Sequence, residues 1–307
     1  MRIFKNRGDI YFSKVNKERS AEQKILLTAL VVILVFTVVF VIAVSAVNDF
    51  SAKKFFAPEQ TTVANNIVEE ETVRLPQVSG KKNFLFSVCR DETLLFVTAV
   101  QVDLDGSAYK ACSFKANTVL DGSSLMDLFK NSGIQNVKSA ISVALGTDFD
   151  YYISMEADDY EELFNTLGSI NYPILNDIKY REEKSPVSYS IKISAGEQTI
   201  DGKRFVNLIR YYLDSENNPS QANELMLAAL SQQINSENYG SSEELFKSYI
   251  ATADTDITVR NFSSAGDELQ VISSDQKNMG VYNARAEYDG NSITESSMKK
   301  IKGYFVK

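Results

Sequence analysis

The chain has 307 residues, 44% of them hydrophobic and 23% charged, with a formal net charge of −8. That balance supplies a sizeable core and excludes a disordered polyelectrolyte. It holds no His, no Trp and only two Cys, which excludes Ser-His-Asp and Cys-His catalysis, His-ligated zinc and a four-thiolate metal site. Chemistry falls to carboxylates, Lys, Arg, Tyr and hydroxyls, or to a hard cation such as magnesium held by oxygens.

Residues 1–24 carry seven Lys/Arg against Asp9, Glu18 and Glu22, a net of +4, so the rest of the chain carries −12. From Ile25 to Val47 run 23 residues without a charge. As a helix this run spans a hydrocarbon core of about 30 Å, and it is longer than the roughly 7–15 residues of a signal-peptide core. Val44-Ser45-Ala46 still has the small-residue look of a cleavage site. The spacing therefore predicts a single transmembrane helix over 25–47. The positive-inside rule keeps 1–24 in the cytoplasm and exports everything after Val47. An acidic exported part speaks against nucleic acid as a partner.

Residues 48–80, polar and broken by Pro58, Pro76 and Gly80, read as an extracellular stalk. A folded domain is expected over 81–235, with 236–307 as an extension of it. Its strands are expected at Phe84–Cys89, Leu94–Asp103 and, after the turn signal Asp105-Gly106, at Ala108–Phe114. Two helical stretches follow at Ser123–Lys130 and Asn136–Leu145, then a strand at Phe149–Met155 and a helix at Asp158–Leu167 stopped by Gly168. Strand-like pieces at Ser169–Leu175 and Tyr189–Ser194 precede two helices, one opening at Asp201 and one at Ser220–Ile234. Beyond Asn235 the pattern gives a helix at Glu243–Ala251, a polar stretch, a strand at Val281–Glu287 and a helix at Ser292–Lys302. This alternation is α/β, an α/β/α layering of a mixed sheet with helices on both faces. Cys89 and Cys112 each lie in an apolar, strand-like run on the exported side. A disulfide is permitted there and a buried thiol is equally at home, and the sequence leaves both open.

The block Ala195–Arg210, AGEQTIDGKRFVNLIR, is the most diagnostic segment. Asp201 can cap a helix whose apolar positions Phe205, Leu208, Ile209 and Tyr212 share one face, and Arg210 lies beside that stripe. Together with Asn83–Val88, Thr93–Val102, Ala108–Thr118, Leu125–Ile153 and Tyr160–Ile174, in that order and spacing, this block resembles the LytR-CpsA-Psr family. Its members are membrane-anchored bacterial enzymes that join glycopolymers to peptidoglycan. The resemblance implies a bacterial cell-membrane protein with an extracellular domain. It also implies a cleft for a polyprenyl-pyrophosphate-linked glycan, arginines that clamp the pyrophosphate, and acids that hold Mg2+. The implied partners are the membrane, polyprenyl-phosphate lipid, wall glycopolymer and peptidoglycan.

Carried over position by position, the charge set is incomplete. The family's arginine-x-aspartate-threonine appears as Arg90-Asp91-Glu92-Thr93, so Arg90 remains and Glu92 stands as the implied metal ligand. Its proline-arginine-aspartate-threonine appears as Lys115-Ala116-Asn117-Thr118, leaving Lys115 as a point charge beside the lost arginine. Arg210 keeps its place, but Tyr212, Gln221 and Glu224 stand where further arginines are expected. Pyrophosphate needs several charged donors in a cleft, and removing one such partner costs on the order of 2–5 kcal/mol. Two readings follow. One is a degenerate member, a pseudoenzyme that binds polyprenyl lipid, wall glycopolymer or a protein partner in envelope biogenesis. The other is an active phosphotransferase using Arg90, Lys115 and Arg210, with Mg2+ at Glu92. The same charges also fit a structural ion pair at the cleft mouth.

Overall fold

The computed structural model describes residues 75–183, 185–274 and 279–305. The basic segment 1–24, the expected membrane helix 25–47 and most of the expected stalk lie outside them. Among the described residues no helix is long and apolar enough to cross a membrane.

Long apolar runs dictate the centre of the fold. Strands β1 (Lys81–Arg90), β2 (Thr93–Asp103) and β3 (Ala108–Lys115) form an antiparallel meander. The short β4 (Val119–Leu120) and β5 (Ser123–Ser124) then lead into helix α1 (Leu125–Leu145). Strand β6 (Tyr151–Glu156) returns parallel to β1 and feeds α2 (Ala157–Leu167). Next come β7 (Ile170–Ile174), β8 (Ile178–Glu182), β9 (Tyr189–Ile193) and β10 (Gly196–Ile200), paired as β7–β10 and as the β8–β9 hairpin. Helices α3 (Gly202–Arg210) and α4 (Pro219–Gln233) flank a π-helical turn at Tyr211–Ser215. The C-terminal part adds α5 (Ser236–Gly240), α6 (Ser242–Tyr249), β11 (Asp254–Thr255), α7 (Val259–Ser263) and α8 (Gly266–Ser274), then β12 (Gly280–Asn283), β13 (Tyr288–Asp289), β14 (Ser292–Ile293) and α9 (Glu295–Tyr304).

The main sheet runs β11-β6-β1-β2-β3-β12, so both edge strands come from beyond residue 236. Alternation along the strands feeds a core on each face. Phe84, Phe86 and Val88 join the first core with α2, α3, α4 and α8, whereas Leu85, Val97 and Ala99 join the second with α1 and α9. The protein is thus a mixed α/β domain with helices covering both faces of a mixed sheet.

Several local signals act as expected. Ser124 caps α1, accepting from the Asp127 N–H, and Asp201 caps α3, accepting from the Arg204 N–H at 2.8 Å. The two helical stretches after Ser123 form one element, broken at Gly133 with φ 66°. Other stretches depart from the expected elements. Strand β8 sits where the charged run IKYRE hides a hairpin, and the polar stretch before residue 280 contains α8. The strand expected over 281–287 ends at Asn283, and the last helix starts at Glu295 behind the Thr294 cap because Ser292–Ile293 pair as β14. Cys89 and Cys112 are buried free thiols with β2 between their strands. Burial pushes the Cys89 pKa up to about 12.

Helix α3 is fixed against α2 by aromatic rings and one glycine. Phe164 and Phe205 ring centroids lie 4.6 Å apart, Phe86 and Tyr160 5.1 Å, and Tyr160 and Phe205 5.8 Å. The Gly202 N–H donates to Asn165 Oδ1 at 2.7 Å, and a Cβ on Gly202 would fall 2.2 Å from the Glu161 carbonyl oxygen. Backbone cannot yield there as a flexible side chain would. Gly202→Ala should therefore destabilise the domain by about 3 kcal/mol, read as a lower urea midpoint. A midpoint equal to that of the unmodified protein would show that the two helices separate freely.

Candidate functional site

The site is built where α3 meets the β8–β9 hairpin. Arg210 ends α3 and is only 2% exposed. Its Nη2 donates to the Val187 carbonyl at 2.6 Å, and its guanidinium carbon lies 3.9 Å from the Tyr189 ring centroid. A cation over an aromatic face gains about 2 kcal/mol when desolvated, so the hairpin supplies both partners that make this burial tolerable. Among the described residues Arg210 Nε and the buried Tyr189 hydroxyl make no hydrogen bond. Burial lowers the Arg210 pKa, and the neighbouring Tyr189 and Asp214 work against that shift.

After Arg210 the helix widens into the π turn, with the Glu216 N–H donating to the Tyr211 carbonyl at 3.0 Å. Such turns insert one residue into the helical repeat and recur at functional sites. Here the turn carries Asp214 to a cavity of about 450 Å³ that Lys115, Ala116, Asn117, Glu182 and Arg210 also line, with Leu94, Leu95 and Met126 as its apolar wall. Lys115 is nearly buried, its Nζ 4.4 Å from the Tyr288 ring centroid. Burial lowers its pKa, while Asp214 pulls the other way. Asp214 is exposed where it opens onto the cavity, yet enough protein surrounds it for desolvation to push its pKa from 3.8 up to about 6. Arg210 and Lys115 limit that rise.

The expected site residues therefore do not all meet. Lys115 and Arg210 share one cavity. Arg90 lines a different one, of about 700 Å³, and its Nη2 donates to Asp158 Oδ1 at 2.5 Å and Glu161 Oε1 at 3.2 Å. This ion pair ties the end of β1 to the first turn of α2. Asp91 (φ 49°) and Glu92 (φ 62°) form the two-residue turn between β1 and β2, the backbone of a primed hairpin turn. Glu92 is exposed there and lines neither cavity. Among the described residues no group of three or more acids, cysteines or histidines is placed to hold a metal ion. The acids that line the smaller cavity are Glu182 and Asp214, and Glu92 is not among them.

The other substituted positions serve the fold. Tyr212 is 3% exposed within the first core. The Gln221 N–H donates to the α4 cap Asn218, and Glu224 Oε1 accepts from Ser220 Oγ and Asn283 Nδ2, each at 3.2 Å. Beside them Asn223 Oδ1 accepts the Ser113 N–H at 2.6 Å, past the point where β12 stops pairing with β3. Helix α4 thereby closes the sheet edge with polar side chains.

Asp214 escaped sequence reasoning because a lone acid after an amphipathic helix reads as solvated. Its place four residues after Arg210 is the one signal that could have exposed it. Two outcomes follow. A carboxyl pKa raised to about 6 leaves Asp214 neutral below that pH and negative above it, with Lys115, Arg210 and Glu182 facing it. Affinity for sulfate, an anion whose charge is fixed over this range, measured by calorimetry, should thus rise as pH falls through about 6, and Asp214→Asn should flatten the profile. Tyr189→Phe removes an unpartnered hydroxyl but keeps the ring over Arg210, so stability should change by less than about 1 kcal/mol. A larger loss in chemical denaturation would reveal a partner for that hydroxyl.

The LytR_cpsA_psr family model matches residues 80–304. No protein of curated function matches the chain. Among solved structures, a candidate transcription regulator from Eubacterium siraeum superposes with TM-score 0.63 at 16% identity, over 80% of this chain and 98% of that one. TagV from B. subtilis gives 0.55 at 16% identity, over 73% and 95%. TagT bound to LI-WTA gives 0.52 at 10% identity, over 73% and 88%. These likenesses share the fold. Because the family model covers most of the chain, including both cavities and the hairpin between them, the protein belongs to the LytR-CpsA-Psr family.

Proposed function

We propose that this chain is a degenerate LytR-CpsA-Psr protein, anchored in the bacterial cell membrane with its domain outside, that binds rather than transfers. In this reading the cleft holds a polyprenyl lipid, a wall glycopolymer or a protein partner in envelope biogenesis. The observation that carries it is the state of Arg210. The arginine kept at the family position gives one N–H to the Val187 carbonyl and lies under the Tyr189 ring, with its Nε unpartnered at the cavity wall. Ala116, Tyr212, Gln221 and Glu224 add no cation at the positions where the resemblance expects them. A dianionic pyrophosphate would meet Lys115 and a capped Arg210 beside the carboxylates of Asp214 and Glu182. Those acids offset the two cations, which removes the preorganised positive field that phosphoryl transfer depends on.

The shared cavity of Lys115 and Arg210 supports a second reading, a phosphotransferase joining polyprenyl-pyrophosphate-linked glycopolymer to peptidoglycan. It would require the hairpin to release Arg210 and would draw Mg2+ to Glu92 from outside the cavity. The experiment that separates the readings uses the full-length protein in detergent with a polyprenyl-pyrophosphate glycolipid and magnesium. The expected result is lipid retention without release or transfer of the glycan. Turnover that disappears in Arg210→Ala would establish the transferase instead.

A further inference from the structure

The smaller cavity holds opposite charges that do not meet. Lys115 enters it from the end of β3, Arg210 from the end of α3, Asp214 from the π turn and Glu182 from the end of β8. Glu182 is already engaged, accepting from the Tyr180 hydroxyl at 2.6 Å and the Ser185 N–H at 3.1 Å. Among the described residues Asp214 accepts no hydrogen bond, Lys115 Nζ donates none and Arg210 Nε is unpartnered. No ion pair joins either cation to Asp214 there, although the three sense one another's charge.

The cations are held back by the rings beneath them. Lys115 lies over Tyr288, whose hydroxyl is 3.0 Å from Thr118 Oγ1, and Arg210 lies on Tyr189. Each charged group has thus given up water without gaining the partner of opposite sign, which costs stability unless something lies between them. With Asp214 ionised the lining carries two cations against two carboxylates. A phosphate brings an excess of negative charge to such a space and a simple amine an excess of positive charge. The matching occupant is neutral overall and carries both signs. Among the described residues no aromatic ring lines the cavity, so a quaternary ammonium lacks the ring face that it favours. A primary ammonium instead donates hydrogen bonds, and Asp214, Asn117 and Asn291 offer oxygens to receive them. Leu94, Leu95, Met126 and Pro186 make the remaining wall apolar, and about 450 Å³ leaves room for a side chain beyond the two charged groups.

We propose that this cavity binds an α-amino acid with an apolar side chain, its carboxylate on Lys115 and its ammonium on Asp214. Arg210 keeps its place under the Tyr189 ring and supports the carboxylate from the wall. The proposal rests on the reading that this cavity binds rather than transfers, and it gives that binding a ligand class.

The test is calorimetry on the full-length protein in neutral detergent at neutral pH, with leucine of each hand, isocaproate (leucine without its amine) and isoamylamine (leucine without its carboxylate). The preferred leucine should bind about tenfold or more tighter than either analogue, since each analogue leaves one charged group unpaired. Asp214→Asn should weaken leucine about tenfold while tightening isocaproate, and Lys115→Gln should weaken leucine while tightening isoamylamine. A general loss of folding would not produce shifts of opposite sign. Asp214 faces Arg210, Lys115 and Glu182, and its protonation removes the partner of the ammonium. Leucine affinity should therefore fall as pH falls through about 6, opposite to the sulfate profile. Leucine bound no tighter than isocaproate, or no binding of any of these probes, would overturn the proposal. If glycolipid is then still retained without turnover, the binding reading stands and only the amino acid is removed. Glycolipid turnover that disappears in Arg210→Ala would instead overturn the reading on which the proposal rests.

Discussion

A guanidinium cannot be withdrawn from water without partners, and in this protein one hairpin supplies them. The Val187 carbonyl and the Tyr189 ring close over Arg210. That arrangement fixes the hairpin against α3, sets the wall between the two cavities, and decides which charges face which space. Glu182 lines both cavities, and Tyr189 lines one while stacking on an arginine that lines the other. Desolvated and covered by the ring, Arg210 stands in the wall of the smaller cavity with its Nε unpartnered.

The wider architecture follows from satisfying polar groups around a large apolar centre. The aromatic rings of β1, α2 and α3 hold the helices, and Gly202 lets two backbones touch. At the far edge of β3, Asn223 and Asn283 complete hydrogen bonds where pairing between strands stops. A third polar cluster sits at the start of β1. There Gln101 donates to Asn83 Oδ1 at 2.8 Å, and Asn83 Nδ2 reaches Thr147 Oγ1 and the Asp148 carbonyl, joining the sheet to the loop after α1. Such buried networks hold a single arrangement because every member is paired.

Much of this was legible in the residues. Apolar runs with a turn signal at Asp105-Gly106 give the β1–β3 meander, and Asp201 with Phe205, Leu208 and Ile209 gives α3. What was not legible shares one cause. Strand β8, IKYRE, alternates weakly and carries three charges, so no period stands out. Without β8 the hairpin that caps Arg210 is invisible from sequence. Helical spacing placed Arg210 beside a single apolar stripe, whereas α3 is buried on nearly every side, with Val206, Asn207 and Arg210 enclosed as well. The π turn then breaks the 3.6-residue repeat just where Asp214 enters the cavity. The pairing of Arg90 with Asp158 and Glu161, and the exposed place of Glu92, depend on a two-residue turn and a parallel crossover. Local periodicity does not encode either.

The central claim is that Arg210 belongs to the scaffold and is not a free cation awaiting phosphate. Nitrogen NMR of the arginine side chains in the full-length protein tests this most directly. Held by a carbonyl on Nη2 and a ring across its face, Arg210 should show hindered rotation. Its Nη signals should be separate and slowly exchanging, and should not shift when pyrophosphate is added at neutral pH. A single averaged Nη signal, shifting on that addition, would contradict the account.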